Sequence, residues 1–189
     1  MKKFVSVILA LTMVLTLTAC GSKAAEETVP AQEIPASALE VLENIWADYA
    51  EEEKFAVIGG SMTAPVDGAP GNYDLTDENI IYNLLIPADQ LANVTEAASM
   101  IHMMNANTFT GAVYKLAEGV TAADFGAAMQ TAIQSNQWMC GFPDRLLISA
   151  FGDTYVLVAF GVNDAMEPFA QHFNAAYPGF VTVVDEPIA

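Results

Sequence analysis

The stretch RLLISAFGDTYVLVAF, residues 145–160, has the sequence pattern of two short strands joined by a tight turn. Both halves are rich in aliphatic, β-branched and aromatic side chains. Gly152-Asp153 between them is a dipeptide suited to a short hairpin turn. The two strands of a hairpin run in opposite directions, so this stretch predicts an antiparallel sheet as the centre of the fold.

Helices are predicted where apolar side chains recur every three or four residues. Four such segments begin at Ser37, at Thr76 or Asp77, at Thr121 and at about Asn163. Ser37 and Thr121 each have an acidic residue three positions later, so each can cap its helix. The third helix is expected to end near Gln137, and Pro178-Gly179 ends the last one.

The remaining strands are predicted from apolar runs bounded by turn residues. Residues 97–117 read as two strands joined by Asn105-Ala106-Asn107, residues 55–58 as a short strand or a buried extension, and residues 180–184 as a terminal strand. Residues 61–76 contain two Pro and two Gly and read as a loop. We therefore predict an α+β fold: a single two-layer domain with a mainly antiparallel sheet of about four to five strands packed against helices.

The first 19 residues have the pattern of a secretory signal peptide. Lys2 and Lys3 precede the apolar run Phe4–Leu17, and small residues follow it. The uncharged stretch up to Cys20 has about 17 residues, fewer than the ~20 that a transmembrane helix needs. A cleaved signal peptide, residues 1–19, is therefore the favoured interpretation.

Leu17-Thr18-Ala19-Cys20 resembles the lipobox of bacterial lipoproteins. The resemblance implies that diacylglycerol is attached to Cys20 and that residues 1–19 are removed. Two acyl chains suffice for a stable attachment to the bilayer. The expected location is the outer face of the bacterial cell membrane, with residues 20–36 as a flexible tether and residues 37–189 as one folded domain.

The chain is strongly acidic, with 23 Asp and Glu against six Lys and Arg, a net charge of −17. Loss of Lys2 and Lys3 with the signal peptide leaves four basic residues, so the mature charge is 4 − 23 = −19. Binding to nucleic acid requires basic groups that neutralise phosphates. The composition therefore argues against a nucleic-acid partner.

A second resemblance covers about residues 74–173. The segments SMIHMMNAN (99–107), AVYKLAEGV (112–120) and GDTYVLVAFG (152–161) resemble the DUF4358 family of short lipoproteins. The chain departs from that family after the third predicted helix, where it reads NQWMCGFPD (136–144). The resemblance implies secretion, lipidation and an α+β domain. The family's function is unknown, so it supplies no active site.

Cys140 is the one candidate nucleophile. It would need His102 or His172 as a nearby base to form a thiolate at neutral pH. Its neighbours in WMCGFP (138–143) are aromatic and apolar, and they match no known catalytic motif. We therefore expect Cys140 to be a buried, inert thiol, and we predict no catalytic residue and no enzymatic activity.

Met100, His102 and Met104 are the candidate metal ligands. On a strand these three side chains share one face, and thioether and imidazole groups together suit Cu(I). Methionine is also an ordinary core residue. We favour packing, with both methionines buried, and predict no metal and no cofactor; a small Cu(I)-binding protein stays an alternative.

Two weaker candidates lie between the first two predicted helices. Asn72, Asp74, Thr76 and Asp77 offer oxygen ligands, but a calcium loop starting at Asn72 would need glycine where Asp77 stands and glutamate where Asn83 stands. Capping of the short helix is the preferred explanation. The loop Met62–Tyr73 is a candidate surface for a partner.

These observations favour a non-enzymatic binding or accessory module at the cell envelope, held to the bilayer through Cys20. The expected partner is an envelope protein or a small molecule of unknown identity. The main alternative is an extracytoplasmic enzyme that uses Cys140 with a histidine. A two-lobed solute receptor is disfavoured because about 150 folded residues are too few for two lobes and a cleft.

Overall fold

A computed structural model describes residues 33–188 of the chain. The signal peptide, Cys20 and the tether up to Gln32 lie outside the described residues, so the predictions about them stay predictions. Residues 33–36 precede the first helix and belong to no helix or strand.

The predicted α+β fold is confirmed, and its centre is one antiparallel sheet. Within residues 33–188 the sheet has eight strands: β1 (Val57–Gly59), β2 (Val66–Asp67), β3 (Gly71–Tyr73), β4 (Val94–His102), β5 (Phe109–Leu116), β6 (Arg145–Phe151), β7 (Tyr155–Gly161) and β8 (Val181–Pro187). Their order is β2-β1-β4-β5-β7-β6-β8, and β3 also pairs with β4.

The predicted hairpin lies in the interior of this sheet. Strands β6 and β7 pair along their whole length, from Arg145 opposite Gly161 to Phe151 opposite Tyr155. β7 also pairs with β5, and β6 pairs with the edge strand β8. The hairpin therefore has a strand on either side, as expected for the centre of a fold.

Four α-helices and one 3-10 helix connect the described strands. They are α1 (Ala38–Asp48), α2 (Ile80–Asn83), the 3-10 helix (Ala88–Asn93), α3 (Ala122–Gln134) and α4 (Asn163–Ala176). Two of the predicted caps are present: the Ser37 hydroxyl accepts from the Glu40 amide at 3.0 Å, and Thr121 accepts from the Asp124 amide at 3.1 Å. Helix α3 ends three residues before the predicted boundary at Gln137.

Helices cover both faces of the sheet, so the predicted two-layer arrangement is wrong. On one face, α1 and α4 pack against side chains that include Met100 and Leu157. On the other face, α3 packs against side chains that include Tyr114 and Ile148. Successive residues of a strand point to opposite faces, and nearly every residue of β6 and β7 is buried. Such strands need a cover on each side.

The strand number was also predicted wrongly, because β2 and β3 lie within the segment 61–76 that was predicted to be a loop. They have two and three residues, too few to produce a period-two pattern. β1 and β3 lie beside each other along β4. A Cβ atom on Gly59 would lie 2.3 Å from the Gly71 nitrogen, so this close approach requires glycine.

Among the described residues, none of the helices combines the length and the hydropathy that a bilayer-crossing segment requires.

Candidate functional site

The candidate site lies at the end of the sheet where β4 ends and β5 begins. Three connections meet there: residues 103–108 between β4 and β5, residues 84–87 after α2, and residues 135–144 between α3 and β6. The first and second of these connections line a common cavity with Trp138 of the third.

Two asparagines hold the first and third connections together. The Asn105 side-chain amide donates to the Cys140 carbonyl at 2.7 Å. The Asn107 side-chain amide donates to the carbonyls of Met139 and Gly141 at 2.8 and 3.0 Å. These bonds supply partners for carbonyls that no strand or helix satisfies, and they fix the position of residues 139–141.

Large apolar side chains are exposed at this end of the sheet. Six of them have between 46% and 81% of their surface exposed, and we call them the methionine face: Met62, Tyr82, Met103, Met104, Met139 and Phe142. Large exposed apolar patches on folded proteins commonly mark interaction sites. Methionine and aromatic residues are also enriched where proteins contact one another.

Two adjoining cavities give the methionine face a concave shape. One has a volume of about 180 Å³ and is lined by Met62, Met103 and Met104 among other residues. The second has a volume of about 190 Å³ and contains Tyr82 and Trp138 in its lining. Both cavities share Asn83 and Ala106. The surface is therefore continuous, although each cavity is small compared with a typical drug-sized site.

The two cavities have an uncommonly neutral lining for this acidic chain. Among the described residues that line the two cavities, none is Asp, Glu, Lys or Arg. Four uncharged stretches of sequence converge here: residues 55–66, 79–88, 97–114 and 125–143. In a chain with 23 acidic residues, such a region favours contact with an apolar surface.

Backbone conformation near the methionine face is unusual at two positions. Leu85 has φ +53° and Cys140 has φ +63°. Residues other than glycine, asparagine and aspartate rarely adopt this left-handed conformation. The Trp138 indole N–H is buried and lacks a hydrogen-bond partner among the described residues. Strained backbone concentrates at functional sites, and native proteins contain few buried polar groups without a hydrogen-bond partner.

The predicted burial of both candidate metal-ligand methionines is correct for Met100 and wrong for Met104. Met100 is fully buried between the sheet and the helices, whereas Met104 is 81% exposed. The strand ends at His102, so the period-two rule no longer applies at Met104. The structure therefore does not bring Met100, His102 and Met104 together on one open surface.

His102 takes part in local structure at the end of β4. Its Nδ1 atom accepts from the backbone amides of Met104 and Asn105, each at 3.3 Å. Its ring stacks on Phe55 with 5.7 Å between the ring centres. These contacts shape the turn that carries Met103 and Met104.

The predicted burial of Cys140 is wrong, because its side chain is exposed. Asn105 and Asn107 hold residues 139–141 at the surface, and Met139 and Phe142 stay out of the core while Trp138 packs against it. Within residues 33–188, His102 and His172 form hydrogen bonds with groups other than the Cys140 thiol. The structure does not assemble a cysteine–histidine pair in the described residues.

His172 joins α4 to the end of α1. Its Nδ1 lies 2.7 Å from Asp48 Oδ2, and its Nε2 lies 3.7 Å from Glu53 Oε2. Its ring lies on Tyr49, with 4.1 Å between centres. Burial, followed by the negative charge of Glu53, raises the pKa of the Tyr49 hydroxyl. This cluster holds two helices together.

The predicted capping of α2 by Thr76 or Asp77 is wrong, because Asn79 occupies the N-cap position and no side chain there bonds to the first turn. The acidic residues before α2 stabilise the preceding turns instead. Asp77 accepts from the Asn79 backbone and side-chain amides and from the Met62 amide, and these bonds lower the pKa of its carboxyl. Asp74 accepts from the Thr76 amide and hydroxyl. Within residues 33–188, no group of three or more Asp, Glu, His or Cys side chains is arranged to hold a metal ion.

The loop Met62–Tyr73 differs from its prediction, since it contains β2 and β3. Of the residues in this loop, only Met62 belongs to the methionine face. Sequence reasoning missed the rest of that face, because its members come from separate segments. The available signal was the absence of Asp, Glu, Lys and Arg from four stretches, a property that residues 154–163 and 168–184 share.

Comparisons with known proteins supply no relative: no family model, no curated protein and no solved structure matches the chain. The likeness to the DUF4358 family therefore stays a prediction.

Proposed function

We propose that this protein is a membrane-anchored, extracytoplasmic lipoprotein with a non-enzymatic binding role, and that it binds another envelope protein through the methionine face. The observation that carries the proposal is that four exposed apolar side chains line two adjoining cavities whose described lining contains no Asp, Glu, Lys or Arg: Met62, Tyr82, Met103 and Met104. Met139 and Phe142 are exposed on the neighbouring connection, which Asn105 and Asn107 hold in place. Water leaves such a surface readily, so its burial by a partner is favourable.

The position of the first helix indicates how the methionine face is oriented relative to the tether. The Ala38 amide donates to Glu96 Oε1 at 2.7 Å, near the start of β4. The methionine face lies beyond His102, and a strand rises ~3.3 Å per residue, so the two ends of this stretch are about 20 Å apart. A tether that leads from Cys20 into α1 thus joins the domain at the end opposite the methionine face.

Position-specific photo-crosslinking in cells that make the protein tests the proposal. A photo-reactive amino acid is placed at position 104 or 142, and at position 34 as a control, since Ile34 is 64% exposed and lies outside the methionine face. We expect a discrete adduct of the same mass from positions 104 and 142 in the membrane fraction, and none from position 34. A Cys20→Ser chain in the same experiment tests the anchor, because it lacks the lipid attachment site.

Absence of an adduct at both positions, or an identical adduct at position 34, would contradict the proposed binding role. Recovery of the Cys20→Ser chain in the membrane fraction with acyl chains attached would contradict the anchor alone.

A further inference from the structure

We infer that the methionine face binds an apolar peptide segment flanked by lysine or arginine, carried by the partner protein. This inference rests on the proposed function and specifies the chemistry of the partner.

The centre of the surface calls for an apolar ligand. Four of its six side chains are methionines, whose flexible thioethers adapt to different apolar shapes. Tyr82 and Phe142, both 73% exposed, add rigid aromatic area. An apolar segment of a partner can lie in the joined cavities beside Tyr82, which is how methionine-rich surfaces bind varied peptides.

The charged residues that bracket this surface in the sequence are mainly carboxylates. The stretch that contains Met62 is followed by Asp67, and the stretch that contains Phe142 is followed by Asp144. The stretch that contains Tyr82 lies between Glu78 and Asp89. Asp67 and Glu78 are exposed. Asp67 pairs with Ile58, which lines one cavity, and Asp77 next to Glu78 accepts from the Met62 amide. Negative charge beside an apolar centre is complementary to a ligand whose apolar part is flanked by basic residues.

The basic groups of the described domain do not offset this negative charge. Within residues 33–188 every Lys and Arg has a carboxylate partner: Lys54 with Glu51 at 2.6 Å, Lys115 with Glu96 at 3.9 Å, and Arg145 with Asp185 at 2.7 Å. A partner with acidic flanks would meet net repulsion.

The same charges disfavour two other occupants. A second copy of this chain would bring its own acidic residues against Asp67, Glu78 and Asp144, which costs energy at close range. An anionic lipid surface would be repelled in the same way, and the methionine face lies at the end of β4 opposite the start of α1. An apolar segment of a different protein with basic flanks matches both the apolar centre of the methionine face and the acidic residues near it.

Selection from a random-peptide phage library tests this inference. The full chain, purified from its membrane and held in lipid nanodiscs, serves as the target, with empty nanodiscs used for counter-selection. The affinity of each selected peptide is then measured for the wild-type chain and for variants at low and at physiological salt. The two face variants are Met104→Gln and Phe142→Gln, Ile34→Gln is the matched control, and Glu78→Gln combined with Asp67→Asn removes two bracketing charges.

We expect selected peptides with apolar centres and Lys or Arg on their flanks. Their affinity should fall roughly tenfold or more in either face variant and stay unchanged in Ile34→Gln. The Glu78→Gln, Asp67→Asn chain should bind several-fold more weakly and lose part of its salt dependence, because the peptide's basic ends lose their partners.

Other outcomes overturn this inference in distinguishable ways. Peptides that need Met104 and Phe142 but carry neutral or acidic flanks contradict the inference and leave the proposed function standing. The same holds if removal of Asp67 and Glu78 charges changes neither affinity nor salt dependence. Peptides that ignore both face variants, or a selection that yields no binder, count against the inference and the proposed function together.

Discussion

Met100 and Met104 show how well the burial of a single residue can be predicted from sequence. Met100 lies inside β4 and is fully buried, as its position in an apolar strand predicts. Met104 follows the same alternation but is 81% exposed, because the strand has already ended at His102. The alternation of side chains predicts on which face of the sheet a residue lies only as long as the strand continues. The end of a strand depends on neighbouring strands, which a local pattern does not contain.

Met100→Ala should lower the free energy of unfolding by ~2 to 5 kcal/mol, since it removes a buried side chain and leaves a cavity. Met104→Ala should change it by less than about 0.5 kcal/mol, the usual range for surface positions. Urea denaturation of both variants beside the wild type measures the difference. Equal losses in the two variants would show that Met104 packs in a way that its exposure does not indicate.

At the scale of elements, the caps and the hairpin were the most predictable parts. Ser37 and Thr121 bond to first-turn amides as their sequence pattern indicates, because a cap depends on neighbours three residues away. The second helical layer was missed, although residues 145–151 and 155–161 are almost uninterruptedly apolar. Such continuous runs indicate strands buried on both faces. β2 and β3 are too short to produce a pattern of their own.

The pairing of edge strand β8 with β6 should depend on pH through Asp185. Arg145 donates two hydrogen bonds of 2.7 Å to this carboxylate, and they lower its pKa below the ordinary value of 3.8. Because the folded-state pKa is the lower one, the stabilisation is present above about pH 4 and is lost as the pH falls through the folded-state pKa.

Asp185→Asn should therefore lower the free energy of unfolding at neutral pH by up to about 1 kcal/mol, a value reduced by solvent screening of this part-exposed pair. The difference from wild type should shrink in acid. Urea denaturation near neutral pH and well below pH 4 measures it. Glu43→Gln, at an exposed carboxylate on α1, is the control. A deficit of the same size at both pH values would contradict a role for the Asp185 charge.

At the scale of the whole molecule, the methionine face exists only because the fold brings separate segments together. Met62, Tyr82, Met104 and Phe142 come from four stretches of sequence, and Asn105 and Asn107 hold two of these stretches in contact. No spacing rule connects such positions. The composition contained a partial signal, because none of these four stretches contains an acidic residue although the chain has 23.

The central claim is that the protein associates with a partner through this surface. Density-gradient sedimentation of the full chain, gently solubilised from its own membranes, measures that association directly. The wild type is compared with a Met104→Gln, Phe142→Gln double variant and with Ile34→Gln, a neutral substitution at an exposed apolar residue elsewhere. We predict that the wild type and Ile34→Gln sediment faster than the double variant, which sediments as a monomer. A monomeric wild type, or a double variant that sediments with the wild type, would contradict the account.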